Sequence, residues 1–231
     1  MNQKGHIWVC KSLNERQRSF AQNLGLQIKE VALTKIHHID FPKELPEAQA
    51  WIFTSQNAVK NILPQPRLLS GLYDKGNFSG TVYASGKQTA KALQEKGFET
   101  KSGLTETAMS LAETIAEDGI TSALFFCGNI RRNELPDYLA KKGVQLKEEV
   151  VYHTLLEPKM IHAQKGDALF FMSPSAVEAF AMINDFSTEL DYYSIGETTA
   201  NALRKKGIQK SYTAAEASLE AMLKQYTTEN K

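Results

Sequence analysis

Two cysteines in 231 residues are too few, and too far apart, for most of what cysteine builds. Cys10 and Cys127 each close an apolar run, and neither shows the paired spacing of a zinc site or a dithiol redox motif, so both are expected to be buried free thiols. An excess of one charge is also missing: 27 Lys and Arg stand against 26 Asp and Glu, a net charge of +1. That leaves no overall field to hold nucleic acid or an anionic membrane, and an anionic ligand must be held locally. No apolar run approaches the ~20 residues of a membrane span, and the one at 7–10 is too short for a secretory signal, so a cytoplasmic protein without a membrane partner is expected. The chain lacks a Gly-x-x-x-x-Gly-Lys-Ser/Thr loop, a Gly-x-Gly-x-x-Gly turn and a Gly-x-Ser-x-Gly elbow, the usual marks of nucleotide hydrolysis, dinucleotide binding and a hydrolase triad. His37, His38 and His153 lack metal-ligand spacing, and no metal site is assigned to them.

What the chain does contain is an internal repeat. Phe53-Thr54-Ser55-Gln56-Asn57-Ala58-Val59 is echoed by Phe171-Met172-Ser173-Pro174-Ser175-Ala176-Val177, an offset of 118. Gly25-Leu26-Gln27-Ile28-Lys29-Glu30 is echoed, again at 118, by Gly143-Val144-Gln145-Leu146-Lys147-Glu148. A third pair, the octets beginning at Gly86 and Gly196, has an offset of 110, which a shorter loop in the second copy explains. Three collinear matches point to a duplicated unit. A composition of 42% hydrophobic residues is enough to close a core in each copy.

Within each copy, short apolar runs alternate with segments of helical period, as in a parallel sheet covered by helices. The runs lie at 7–10, 28–33, 50–53 and 82–85, then at 123–127, 150–152, 169–172 and 192–195. Leu13, Phe20 and Leu24 share one face of a helix ended by Gly25; Leu135 and Leu139 do the same before Gly143. Segments 33–46 and 148–158 show no helical stripe and read as extended connectors at equivalent places in the two copies. Two such crossings predict exchanged lobes: a discontinuous lobe of residues 1–34 and 156–231, and an inserted lobe of 35–155, with a substrate cleft between them.

In open parallel sheets, ligands gather beyond the carboxyl ends of strands, where helix starts present free backbone N–H groups. Ser55 and Ser173 each follow a strand run and precede a helical stripe, so both are N-cap candidates, and Pro174 suits a first helical turn. Gly86 and Gly196 follow the other two strands and let backbone approach a ligand. Thr89 and Thr199 fall in the ensuing first turns, where a backbone-bonded threonine and a ligand contact are both open. Tyr152, near the end of a connector, carries a phenolic proton, with a core tyrosine as the competing reading. Arg131 and Arg132, just after a strand, could meet a carboxylate or remain solvated.

Taken in order, these phrases resemble uroporphyrinogen-III synthases: Phe-Thr-Ser-x-Asn-Ala-Val at 53–59, Gly-x-x-Thr-Ala-x-Ala-Leu at 86–93, Cys-Gly-Asn-x-Arg-Arg at 127–132, Val-Tyr-x-Thr at 151–154, Ser-Pro-Ser-Ala-Val at 173–177 and Ile-Gly-x-Thr-Thr-Ala-x-Ala-Leu at 195–203. The resemblance implies an α/β protein of two flavodoxin-like, doubly wound parallel-sheet domains joined by a two-stranded connector. It implies a monomeric enzyme that dehydrates and cyclises the small molecule hydroxymethylbilane, inverting its last ring, without cofactor or metal. Tyr152 would then be the catalytic acid. Ser55, Asn57, Ser85, Gly86, Thr89, Ser173, Ser175, Gly196, Thr199 and Arg132 would contact substrate. Many bacterial members carry an arginine just after the first strand, where this chain offers Lys11; a bidentate carboxylate clamp is not available from a lysine. The alternatives are a non-catalytic two-lobe protein that binds a small anion and, less favoured, a two-lobe glycosyl-transferring enzyme.

Overall fold

A computed structural model describes residues 5–40, 45–62 and 80–229. In chain order the elements are β1 (Ile7–Val9), α1 (Glu15–Asn23), β2 (Ile28–Glu30), β3 (Thr34–His38), β4 (Ala50–Phe53), α2 (Gln56–Ile62), β5 (Thr81–Ala84), α3 (Lys87–Gln94), α4 (Ala108–Glu117), β6 (Ser122–Gly128), α5 (Glu134–Lys141), β7 (Gln145–Leu156), β8 (Ala168–Phe171), α6 (Pro174–Ala181), β9 (Asp191–Ser194), α7 (Glu197–Lys205), β10 (Tyr212–Thr213) and α8 (Leu219–Glu229). They divide into two units, one from the described residues of Met1–Lys35 and Leu155–Lys231, the other from those of Ile36–Thr154.

The first unit holds a sheet in the order β2-β1-β8-β9-β10, every neighbouring pair parallel. Counted along this unit's own chain, that is second, first, third, fourth, fifth, the doubly wound order of flavodoxin-like folds. The second unit carries β7-β6-β4-β5, the strands equivalent by the repeat to β2-β1-β8-β9, also parallel, with β3 outside β7 and Lys101 bridging to Tyr83 on the β5 side. The repeated phrases occupy matching positions: β4 stands in its sheet where β8 stands in the other, β7 where β2 stands, and Gly86 and Gly196 open the helices after the corresponding strands β5 and β9.

Burial explains why these runs become strands. All four residues of β4 and all four of β8 are buried, as expected where helices cover both faces of a parallel sheet. Alternate residues feed separate cores. Trp51 and Phe53 pack on one side with Leu124, Phe126 and Val151; Ala50 and Ile52 pack on the other with Phe125, Leu111 and Leu139. The first unit is built the same way, with Leu169 and Phe171 on one side and Ala168 and Phe170 on the other. Helix ends follow local chemistry. Asn14 and Gln17 form a capping box at the start of α1, and Gly25 (φ 69°) and Gly143 (φ 78°) take the left-handed turn after α1 and α5.

The extended connector expected at 148–158 forms part of a longer strand, since β7 runs for twelve residues from Gln145 to Leu156. Its first half alternates polar and half-buried side chains, so no apolar run announces it. The other connector contributes β3, the outermost strand of the second sheet, while its residues 41–44 lie outside the described ones. Buried Asn61 ties α2 to both strands, its side-chain amide donating to the carbonyls of Ile39 and Val151. Much of the loop expected to lengthen the first copy, residues 63–79, is also outside the description.

Candidate active site

The carboxyl ends of β4 and β5 in the second unit are joined by the Ser85 N–H, which donates to the Phe53 carbonyl at 2.9 Å. Just beyond β4, the Ser55 hydroxyl accepts from the Asn57 N–H at 3.1 Å, the capping geometry expected of it. Beyond β5, Gly86 adopts φ 80°, a left-handed conformation that favours glycine, and α3 begins. A carboxylate already meets this helix start. Glu106 lies 3.5 Å from the Lys87 N–H and 3.1 Å from Lys87 Nζ, and its backbone carbonyl accepts from Ser85 Oγ at 3.2 Å. Lys87 holds the Glu106 carboxyl below the usual carboxylate range. Sequence reading did not single out Glu106, because an exposed glutamate in a loop carries no local signal.

Tyr152 sits on β7 opposite Gly128 of β6, and the ladder shifts register there, from Cys127–Val150 to Gly128–Tyr152. Its ring is buried at 7% exposure and belongs to the core with Phe53 and Phe126, while its hydroxyl bonds to Ser55. It is therefore a core tyrosine at its ring and a strand-end group at its oxygen. Burial raises the phenol pKa, partly opposed by the Ser55 hydrogen bond, so the group is protonated at neutral pH. Arg131 pairs with Glu148 and bonds Asn133, and so serves local structure; Arg132 is half exposed and 3.7 Å from Glu134.

In the first unit the same strand-end pattern recurs. The Cys10 N–H donates to the Phe170 carbonyl at 3.0 Å and the Ile195 N–H to the Phe171 carbonyl at 3.1 Å, joining the ends of β1, β8 and β9. Lys11 lies two residues beyond β1, its N–H donating to the Val9 carbonyl at 2.8 Å. Ser173 caps α6, accepting from the Ala176 N–H at 3.2 Å, with its hydroxyl 2.9 Å from that of Ser175 and Pro174 in the first turn. Gly196 opens α7 in extended conformation with open space where a Cβ would stand, so its backbone does not demand glycine. Thr89 and Thr199 are both buried within their first turns.

Both cysteines are buried free thiols as expected. Desolvation pushes Cys127 up to about 11 and Cys10 higher still, which makes neither a nucleophile at neutral pH. Among the described residues, no three His, Cys, Asp or Glu side chains gather in a way that could hold a metal, and no helix is long and apolar enough to cross a membrane.

Two doubly wound units of one sheet order, each with serine- and glycine-led helix starts at its strand ends, define a two-domain α/β protein of flavodoxin-like type. The model of one family, "Uroporphyrinogen-III synthase HemD", matches residues 17–224, and the chain belongs to that family, whose members serve tetrapyrrole biosynthesis. Among solved structures it is similar to the uroporphyrinogen-III synthetase of Helicobacter pylori, with 26% identity, a TM-score of 0.70, and 98% of this chain and 99% of that one covered. A mutant uroporphyrinogen III synthase from Thermus thermophilus shares the fold at a TM-score of 0.68 and 18% identity, over 96% of this chain and 98% of that one.

Proposed function

We propose that this chain is a cyclising hydro-lyase that converts hydroxymethylbilane to uroporphyrinogen III, with Tyr152 as the proton donor to the departing hydroxyl. The observation that carries the role is the phenol itself: protonated through burial, its ring fixed in the core, its oxygen at the strand ends beside Ser55. The hydroxyl leaves with the phenolic proton as water. The proton later lost from the attacked pyrrole carbon restores the balance at ring closure. Because the linear substrate closes unaided to the type I isomer, the protein's main task is orientation, which holds the last ring for attack through a spiro intermediate.

Ser55, Asn57, Ser85 and Gly86 in one unit, and Lys11, Ser173, Ser175 and Gly196 in the other, are the groups we assign to the substrate's acetate and propionate arms. At the start of α3 a substrate carboxylate would take the place of Glu106, which now meets the Lys87 ammonium and N–H there. Thr89 and Thr199 shape the turns that present these amides, and Arg132 offers a further cation at the end of β6.

Supplying hydroxymethylbilane and separating the product isomers tests the proposal. Type III is expected in excess, and Tyr152→Phe should lower the rate by about 10² to 10⁴ with the fold intact. Only type I product from the native chain, or binding without turnover, would overturn the activity; native turnover by Tyr152→Phe would remove the tyrosine from it.

A further inference from the structure

The aim of Tyr152 is not a property of β7 alone. β7 and β4 are not neighbours, for β6 lies between them. With adjacent strands about 4.8 Å apart, a side chain rooted on β7 reaches the end of β4 only by crossing β6. The Tyr152 ring makes that crossing over Gly128: a Cβ there would stand 2.5 Å from both Cε2 and Cζ of the ring and 2.9 Å from its hydroxyl oxygen. No side chain larger than hydrogen leaves the path open. The register shift supplies the second element. Val151 is the extra residue on β7, and a bulge of this kind turns the next side chain away from regular alternation.

Asn129 then secures the shifted strand. Its backbone N–H donates to the Tyr152 carbonyl at 3.2 Å, and its side-chain oxygen accepts from the Thr154 N–H at 2.7 Å. The side chain thus continues the ladder after β6 has ended and holds β7 on the far side of the tyrosine.

We propose that Gly128 and Asn129 are positioning residues for the reaction, the first by clearing the path of the Tyr152 ring and the second by locking the bulge that aims it. This rests on the role given to Tyr152 above. Neither residue touches substrate in this account; both act through the phenol.

Four single variants and one double test it, with kcat, KM, isomer ratio and melting temperature read for each. Gly128→Ala and Asn129→Leu should lose kcat on the order of 10²-fold, the effect of misplacing a catalytic group by an ångström, with KM little changed and more type I product. Asn129→Asp keeps an acceptor for the Thr154 amide and should recover most of the rate. Gly128→Ala added to Tyr152→Phe should cost no further kcat, since the two act as a unit on the rate, while the retained ring still lowers the melting temperature. A folded Asn129→Leu protein with native kcat and isomer ratio would overturn the proposal, as would an additive loss of kcat in the double variant. If Gly128→Ala fails to fold, Asn129→Leu decides alone, because its side chain is exposed. Full activity of Tyr152→Phe would instead sink the tyrosine's role and this inference with it, whereas a slow Tyr152→Phe beside a native-like Asn129→Leu would sink only the inference.

Discussion

Three buried tyrosines differ in what holds their protons. Tyr83 donates to Asp118 at 2.5 Å and Tyr193 to Glu229 at 2.8 Å. Burial raises both phenols first, and their carboxylate partners raise them further. Tyr152 is also raised by burial, but its bonded neighbour is the Ser55 hydroxyl, which works in the opposite direction. Among the described residues no carboxylate takes its proton, which suits it to donate. A pH–rate profile should therefore show no falling limb from this group below the ordinary tyrosine range of about 10. A limb between about pH 7 and 9 that vanishes in Tyr152→Phe would contradict that assignment. The two thiols give a simpler test. With Cys127 pushed up to about 11 and Cys10 higher, iodoacetamide near pH 8 should leave the folded chain unmodified, while the denatured chain takes two adducts by intact mass.

Duplication at the level of elements reaches further than the repeated phrases. Tyr83 and Tyr193 stand 193 − 83 = 110 apart, and their acceptors Asp118 and Glu229 stand 229 − 118 = 111 apart. In each unit a tyrosine on the equivalent strands β5 and β9 thus clasps the carboxyl end of a later helix, α4 or α8. No phrase match revealed this, because the acceptor changed from aspartate to glutamate and one residue was added between. Helix ends, by contrast, were readable: Gly25 and Gly143 lie where the apolar stripes stop, and both take positive φ. At Gly143 nothing surrounds the position a Cβ would take, so Gly143→Ala meets only backbone strain. It should destabilise the chain by about 1 to 2 kcal/mol in urea unfolding, with Gly143→Asn losing less. An unchanged midpoint would remove the left-handed turn as a source of stability.

The molecule as a whole should be sensitive to acid. Asp118 is held low by Tyr83 and then Lys101, and Glu30 by the Arg18 side chain against its own burial. At Asp167, burial pushes the carboxyl up, but the Trp8 indole and the Gln164 and His6 amides reverse this and leave it below the usual range. Each folded pKa lies below its unfolded value, so the stabilisation is complete above the unfolded value of about 4 and is lost as pH falls through the folded one. Melting temperature followed by circular dichroism should hold down to about pH 5 and fall steeply below about pH 4. A melting temperature flat to pH 2 would show that these carboxylates do not carry stability.

By itself the sequence determined the fold class, the duplication, the buried thiols and the helix starts at Ser55, Ser173, Gly86 and Gly196. Each is written in adjacent residues as an apolar run, a repeated phrase or a capping residue, and local burial and hydrogen bonding translate it directly. Only the tertiary structure decided that Tyr152 crosses Gly128 to reach Ser55, that Glu106 meets the start of α3, that Asp167 binds Trp8 and that β7 is one long bulged strand. Those contacts join residues tens of positions apart, and their existence depends on sheet order and on a register shift of one residue. Periodicity reports which face of an element is buried; it carries no record of which distant side chain lies across it.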